Sequence, residues 1–127
     1  MQEYDVWVYP EQAQLGFDPA AGDLSGYNVE ALDGSIGKID AASNDVGSSY
    51  LIVDTGPWIF GKKVMLPAGT VQRIDEVDEK IWVNRTKDQI KAAPEYDESM
   101  RSDARYRDEL GNYYGPQGRG FRDSNDA

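Results

Sequence analysis

Short stretches in which apolar and polar residues alternate fill the middle of the chain, from residue 24 to residue 84, and turn-forming pairs separate them. This spacing is typical of a small all-β unit built from hairpins. Asp33 and Gly34 form the clearest turn, because a type I′ turn requires positive φ at both central residues. Gly37 and Gly56 mark further positions where the backbone is expected to turn. Six strands are predicted, at residues 27–31, 36–40, 50–53, 63–67, 70–75 and 80–83.

Six short antiparallel strands leave two exposed edges unless the sheet closes on itself, and closure also gives a small unit an enclosed core. The sequence therefore predicts a mainly β fold, a small closed six-stranded antiparallel barrel, with a short C-terminal helix and an extended or partly helical tail. Nine aliphatic residues are expected to fill its interior: Ile39, Leu51, Val53, Val64, Leu66, Val71, Ile74, Ile81 and Val83.

Changes in composition divide the chain into three parts. Residues 1–23 form an N-terminal extension with several Pro and Gly and at most one short strand. Residues 24–93 form the β-domain with its short capping helix. Residues 94–127 form a tail in which Tyr and Arg are frequent, predicted to be partly helical and then disordered over about its last dozen residues.

Two helices are predicted after the last strand. Thr86 and Gln89 match a capping box, in which each side chain satisfies a backbone N–H group of the other, and Pro94 ends that helix. In the tail, Gly111 is expected to end a second helix. The apolar face of that second helix is predicted to contain Tyr96, Met100, Ala104, Leu110 and Tyr114.

The charge balance bears on the partner. Thirteen Lys and Arg stand against 23 Asp and Glu, a formal charge of −10. Proteins that bind nucleic acid replace its counterions with Lys and Arg, so nucleic acid is not the expected partner. No apolar stretch approaches the roughly 20 residues of a membrane span, and the N-terminus lacks the pattern of a signal peptide. The expected location is the cytoplasm.

The absence of His and Cys removes most catalytic options. Thiolate nucleophiles, imidazole bases and zinc sites of the Cys/His type are excluded together. The acidic stretches at residues 40–45 and 75–79 lack the spacing of an EF-hand, and the second is expected to be a solvated turn between strands. The sequence therefore predicts no catalytic residue, no metal site and no cofactor, and Ca²⁺ binding at these acidic stretches is the remaining alternative.

One alternative is an aspartic hydrolase. Asp54, Thr55 and Gly56 follow a hydrophobic strand, which is how an aspartic peptidase presents its carboxylate, and a homodimer would supply the second Asp. Pro57 and Trp58 follow where a small residue would continue the catalytic loop. A strand-ending turn is the favoured interpretation.

A cluster of aromatic and apolar residues is the candidate interaction surface. Trp58, Ile59 and Phe60 lie beside glycines and Pro57, so all three side chains cannot point inward, and at least one should be exposed. Tyr113 and Tyr114 in the tail are further candidates, either packed on their own domain or available to a partner.

The order of these segments resembles the PRC-barrel family, which is shared by the photosynthetic reaction-centre H subunit and a ribosome-maturation factor. Residues 24–29 are similar to its opening strand, 33–39 to its central hairpin and 51–53 to its third strand. Residues 63–67 and 71–75 are similar to the stretch that follows.

The resemblance implies a non-catalytic module that docks or assembles with protein partners, without naming the partner. It also implies a stand-alone bacterial member, because neither a membrane-spanning helix nor a second barrel precedes residue 24. Self-association to a homodimer, through a sheet edge or the surface around Trp58, is one expectation. The dimeric hydrolase based on Asp54 stands as the alternative.

Overall fold

The computed structural model describes residues 6–10, 14–15, 23–43, 49–56, 58, 62–116 and 118–121. Within these residues the strands are β1 (Gln14–Leu15), β2 (Asn28–Ala31), β3 (Gly34–Ser43), β4 (Tyr50–Asp54), β5 (Lys63–Pro67), β6 (Val71–Asp75) and β7 (Lys80–Val83). The helices are α1 (Lys87–Lys91) and α2 (Ala104–Tyr114), and the two 3-10 turns are Ala68–Thr70 and Glu98–Met100.

All seven strands belong to one sheet, in the order β1-β6-β7-β2-β3-β4-β5. The pairs β2–β3, β3–β4, β4–β5 and β6–β7 are antiparallel, whereas β2–β7 and β1–β6 are parallel. In the part of the chain that the structure describes, no ladder joins β5 to β1, so the sheet is mixed and open.

The predicted closed antiparallel barrel is therefore wrong, although all six predicted segments are strands. Alternation specifies which face of a strand is buried, but it carries no information about the direction or the identity of the neighbouring strand. Hairpin connections were expected throughout, whereas the last strand returns to lie parallel to β2, with Asn28 opposite Lys80 and Glu30 opposite Trp82.

The core lies on the inner face of the sheet and continues under the helices. Eight of the nine predicted interior residues are buried, and Val64 is half-buried. β4 is the best covered strand, since its residues 50–53 are all buried. The helices add Ile90 and Leu110 to the same core.

Gly37 lies inside β3 rather than at a turn. Its φ is +146°, and a Cβ there would lie 2.0 Å from the carbonyl oxygen of Asp54 in β4. Only glycine permits this approach of two backbones. Gly34 and Gly56 also have positive φ and lie at the ends of strands, where turns were expected.

The capping box of α1 is confirmed. The Thr86 hydroxyl accepts a hydrogen bond from the Gln89 backbone N–H at 3.1 Å, and Gln89 Oε1 accepts one from the Thr86 N–H at 2.9 Å. Ile90 is 1% exposed and attaches this short helix to the sheet. The helix itself ends at Lys91, before Pro94.

α2 buries Tyr106, Leu110 and Tyr114, which follow one another at intervals of four residues. The helix continues through Gly111, so the predicted end at this residue is wrong. A Cβ at Gly111 would lie 3.0 Å from Trp7 Nε1, so this glycine admits the indole ring of the N-terminal segment. Of the last dozen residues, 117 and 122–127 lie outside the described residues, and the division of the chain at residues 23 and 93 stays a prediction.

Candidate functional site

Three segments that are distant in sequence meet at α1. The Asp33 carboxylate in the β2–β3 turn accepts a hydrogen bond from the Lys87 backbone N–H at 2.8 Å. The Lys87 ammonium in turn lies 5.4 Å from the centre of the Trp58 ring. A cation at this distance is attracted by the negative face of an indole ring. The first residue of α1 therefore connects the turn at Asp33 to the loop that carries Trp58.

Hydrogen bonds fix the conformation of the backbone around Trp58. Its N–H donates to the Thr55 carbonyl oxygen at 3.1 Å. The Thr55 hydroxyl donates to the Lys62 carbonyl oxygen at 2.8 Å across the base of the loop, and the Gly56 N–H donates to Asp54 Oδ1 at 3.0 Å. These bonds fix a half-buried indole ring at the surface of the protein.

Tyr113 also contacts α1. Its hydroxyl donates a hydrogen bond to the Gln89 carbonyl oxygen, and its ring is half-buried. Tyr114 is fully buried, so its side chain is part of the core in this structure. Ile59 and Phe60 lie outside the described residues. We define the α1 surface as Asp33, Trp58, Lys87, Gln89 and Tyr113.

Asp54 is the last residue of β4 and begins a turn. It is exposed at the end of β4, and its carboxylate accepts the Gly56 N–H in the local arrangement that aspartate commonly adopts after a strand. The described residues around Asp54 give no support to the hydrolase interpretation.

The acidic stretches also have local structural roles. Asp75 Oδ1 accepts hydrogen bonds from the N–H groups of Val77 and Asp78 at 2.9 and 3.1 Å, which closes the turn between β6 and β7. Asp40 is paired with Lys63 at 3.0 Å, and this hydrogen bond raises the pKa of Lys63. Among the described residues, no three carboxylates are grouped so as to hold a metal ion.

Sequence reasoning named Trp58 and Tyr113 as candidates but not Lys87, whose ammonium lies 5.4 Å from the Trp58 ring. Nothing in the local sequence marks Lys87 as a partner of residue 58, because their contact exists only after the sheet has formed. Arg85 was missed as well, and it is buried beside α2, donating to the carbonyl oxygens of Asn84 and Tyr114. The available signal was a basic residue between the last strand and the capping box.

Comparisons with known proteins found seven solved chains that are similar in structure. No family model matches the sequence, and no curated protein matches it. A 16S ribosomal RNA processing protein, RimM, from Pseudomonas aeruginosa is similar in structure, with a TM-score of 0.44 and 22% sequence identity. The similarity covers 51% of this chain and 42% of that one, so this chain spans less than half of the length of RimM. We infer neither a family nor a function from it.

The described helices are too short and too polar to cross a bilayer, since the longer of the two, α2, has 11 residues.

Proposed function

We propose that this chain is a non-catalytic protein-interaction module that contacts its partner through the α1 surface. The supporting observation is the position of Trp58, a large aromatic side chain that stays half-buried at the surface and is held there by Lys87 and by a hydrogen-bonded loop. Rigidly held aromatic residues contribute most of the binding energy in many protein interfaces. The resemblance of residues 24–83 to PRC-barrel domains favours the same interpretation.

A second copy of the chain is the partner we propose to test first. The exposed side of α1 carries groups of both signs, Asp88 and Lys91, less than one turn apart. A two-fold symmetric contact requires such a self-complementary surface, because each group meets its counterpart from the other copy. Net charge argues against nucleic acid, since the chain carries −10.

The test is the mass in solution as a function of protein concentration, measured by light scattering. We expect the native protein to move from 14.1 kDa towards twice that mass as concentration rises. Replacing a central interface tryptophan typically costs about 2 kcal/mol or more, so Trp58→Ala should weaken the dimer at least about 30-fold.

A matched control is Trp82→Ala, which also removes an indole ring, but one that contacts Arg73 at 4.6 Å instead of Lys87. This variant should dimerise like the native protein. Equal masses for native protein and Trp58→Ala at every concentration would contradict the proposed self-association through this surface.

A further inference from the structure

A cavity of about 160 Å³ lies between β5, the end of α1, the segment 93–96 and the end of α2. Val64, Ala93 and Pro94 line it and are half-buried, and Lys62 and Lys91 line it and are exposed, so the cavity opens to the surface. An engineered apolar cavity of about 150 Å³ binds benzene. This one therefore has room for the six-membered ring of an aromatic side chain.

Helix α1 places this cavity beside Trp58. Lys87, the first residue of α1, lies 5.4 Å from the centre of the Trp58 ring, whereas Lys91, the last residue, lines the cavity. Residues four apart share a helix face, and the axial rise between them is about 6 Å. Trp58 and the cavity therefore lie at the two ends of one face of α1. Lys62, on the cavity side, also accepts the Thr55 hydroxyl at the base of the loop that carries Trp58.

The uncovered side of the Trp58 ring needs a receiving surface if this residue is the centre of an interface. Aromatic residues that carry binding energy typically fill a pocket on the partner. A two-fold axis that crosses this face between Lys87 and Lys91 exchanges its two ends. Such an axis brings Trp58 of each copy over the cavity of the other copy.

The charges on this face fit the same arrangement. The axis makes the two α1 helices antiparallel, with residue 88 opposite residue 90, so the exposed Asp88 comes close to the exposed Lys91 of the other copy. Within one copy, Lys91 has no ion pair among the described residues. Lys87 comes opposite Lys91 of the other copy, and Asp88 is the counter-charge for both. Exposed ion pairs contribute little free energy, so they set the register while the apolar contact supplies most of the affinity.

We propose that the cavity is the receptor for Trp58 of a second copy, in the dimer on which the proposed function rests. The six-membered ring of the indole packs against Val64, Ala93 and Pro94. The hydrocarbon stems of Lys62 and Lys91 flank the ring. The contact occurs twice in the dimer, once on each side of the two-fold axis.

The first experiment fills the cavity and leaves Trp58 in place. Ala93→Leu adds an isopropyl group at the cavity wall and should weaken the dimer at least about tenfold, measured by light scattering as a function of concentration. Its melting temperature in dilute solution should be unchanged or higher, because the added group fills empty space. Val64→Phe fills the same space from β5 and should have the same effect, so the result does not depend on one variant.

A matched control is Ala42→Leu. It adds the same group at a half-buried alanine of β3 that does not line the cavity. This variant should dimerise like the native protein.

The second experiment mixes two variants that are each defective. Trp58→Ala retains an open cavity, and Ala93→Leu retains the indole ring, so a mixed dimer contains one intact contact out of two. Its affinity should be about three- to sixfold below the native value and should exceed that of either variant alone. Native mass spectrometry separates the mixed dimer from the two homodimers. A substitution that only distorts its own copy would not be rescued in this way.

The outcomes distinguish this inference from the proposed function. A native protein that stays monomeric at every concentration, or a dimer that Trp58→Ala leaves intact, overturns both. A native dimer that is weakened by Trp58→Ala but not by correctly folded Ala93→Leu or Val64→Phe overturns this inference alone. Absence of any preference for the mixed dimer also overturns it, while the interface through Trp58 stands.

Discussion

The sheet and the C-terminal segment 94–121 bury their residues in chemically different ways. Aliphatic side chains such as Leu51 and Ile81 fill the inner face of the sheet, and the backbone groups are paired in ladders. The C-terminal segment instead buries tyrosines, whose hydroxyls need partners: that of Tyr106, for example, donates to the Pro94 carbonyl oxygen at 3.1 Å. Burial of apolar area is non-directional, whereas these hydrogen bonds depend on position.

The difference shows that one small chain combines a sheet stabilised by apolar burial with a C-terminal segment stabilised by specific hydrogen bonds. The sheet tolerates exchange among aliphatic residues as long as volume is kept. The C-terminal segment depends on particular atoms, and the hydroxyls of Tyr96 and Tyr114 are buried in it without a hydrogen-bond partner among the described residues.

The largest expected effect is loss of the folded state in alkali. Burial raises the pKa of Tyr9 to about 12 and raises those of Tyr106 and Tyr114 as well. Unfolded tyrosine ionises near 10.0, so between pH 10 and 12 the folded chain binds more protons than the unfolded chain. The stability that these tyrosines contribute is thus fully present below pH 10 and is lost as pH rises towards 12.

Phenolate absorbance and the circular dichroism of the sheet should therefore change together above pH 10. Full ionisation of the tyrosines with an unchanged sheet signal would show that the C-terminal segment separates from the sheet without unfolding it. The sheet and the C-terminal segment would then unfold as two independent units.

The second-largest expected effect is a loss of stability in the sheet. In Gly37→Ala a methyl group would meet the Asp54 carbonyl oxygen at 2.0 Å, and alanine is strained at a φ of +146°. We expect a loss of about 4 kcal/mol or more in the free energy of unfolding, measured by urea denaturation.

Gly34→Ala is the control that separates the steric contact at Gly37 from the backbone strain. Gly34 also has a positive φ, +139°, but its nearest neighbour is the flexible end of Lys87 at 3.7 Å. The backbone strain is shared by the two variants, so Gly34→Ala should cost about 1–3 kcal/mol. Equal losses would mean that the contact with Asp54 is unimportant.

The smallest expected effect is the loss of one hydrogen bond in the C-terminal segment. Tyr106→Phe removes the hydrogen bond to the Pro94 carbonyl oxygen and should lower the free energy of unfolding by about 1 kcal/mol. Tyr114→Phe, with no bond to lose, is the comparison. A larger loss in Tyr114→Phe than in Tyr106→Phe would contradict the assignment of partnered and unpartnered hydroxyls.

Local sequence patterns predicted the positions of the strands and of α1. Alternation located the six main strands, and Thr86 with Gln89 located the first helix, because both signals act between near neighbours. The parallel pairing of β2 with β7 was not predictable in this way, since it depends on which distant strands meet. A closed barrel was expected because exposed edges are unfavourable and closure encloses a core, and neither argument says how a particular sheet protects its edges.

The candidate surface was predictable residue by residue only in part. Trp58 was identified because three large apolar residues beside glycines cannot all point inward. Tyr114 was named both as a surface candidate and, with Leu110, as part of the apolar face of the second helix, and the structure buries it on that face. The contact between Lys87 and Trp58 has no local signal, because it joins a helix start to a loop through tertiary structure.

The parallel pair has a consequence for synthesis on the ribosome. Strand β7 is about fifty residues later in the chain than β2, so at about 5–20 residues per second it follows roughly 3–10 seconds behind. During that interval the nascent hairpin of β2 and β3 presents an unfilled edge. We expect chaperones, or neighbouring chains on the same polysome, to compete for that edge until translation delivers its native neighbour.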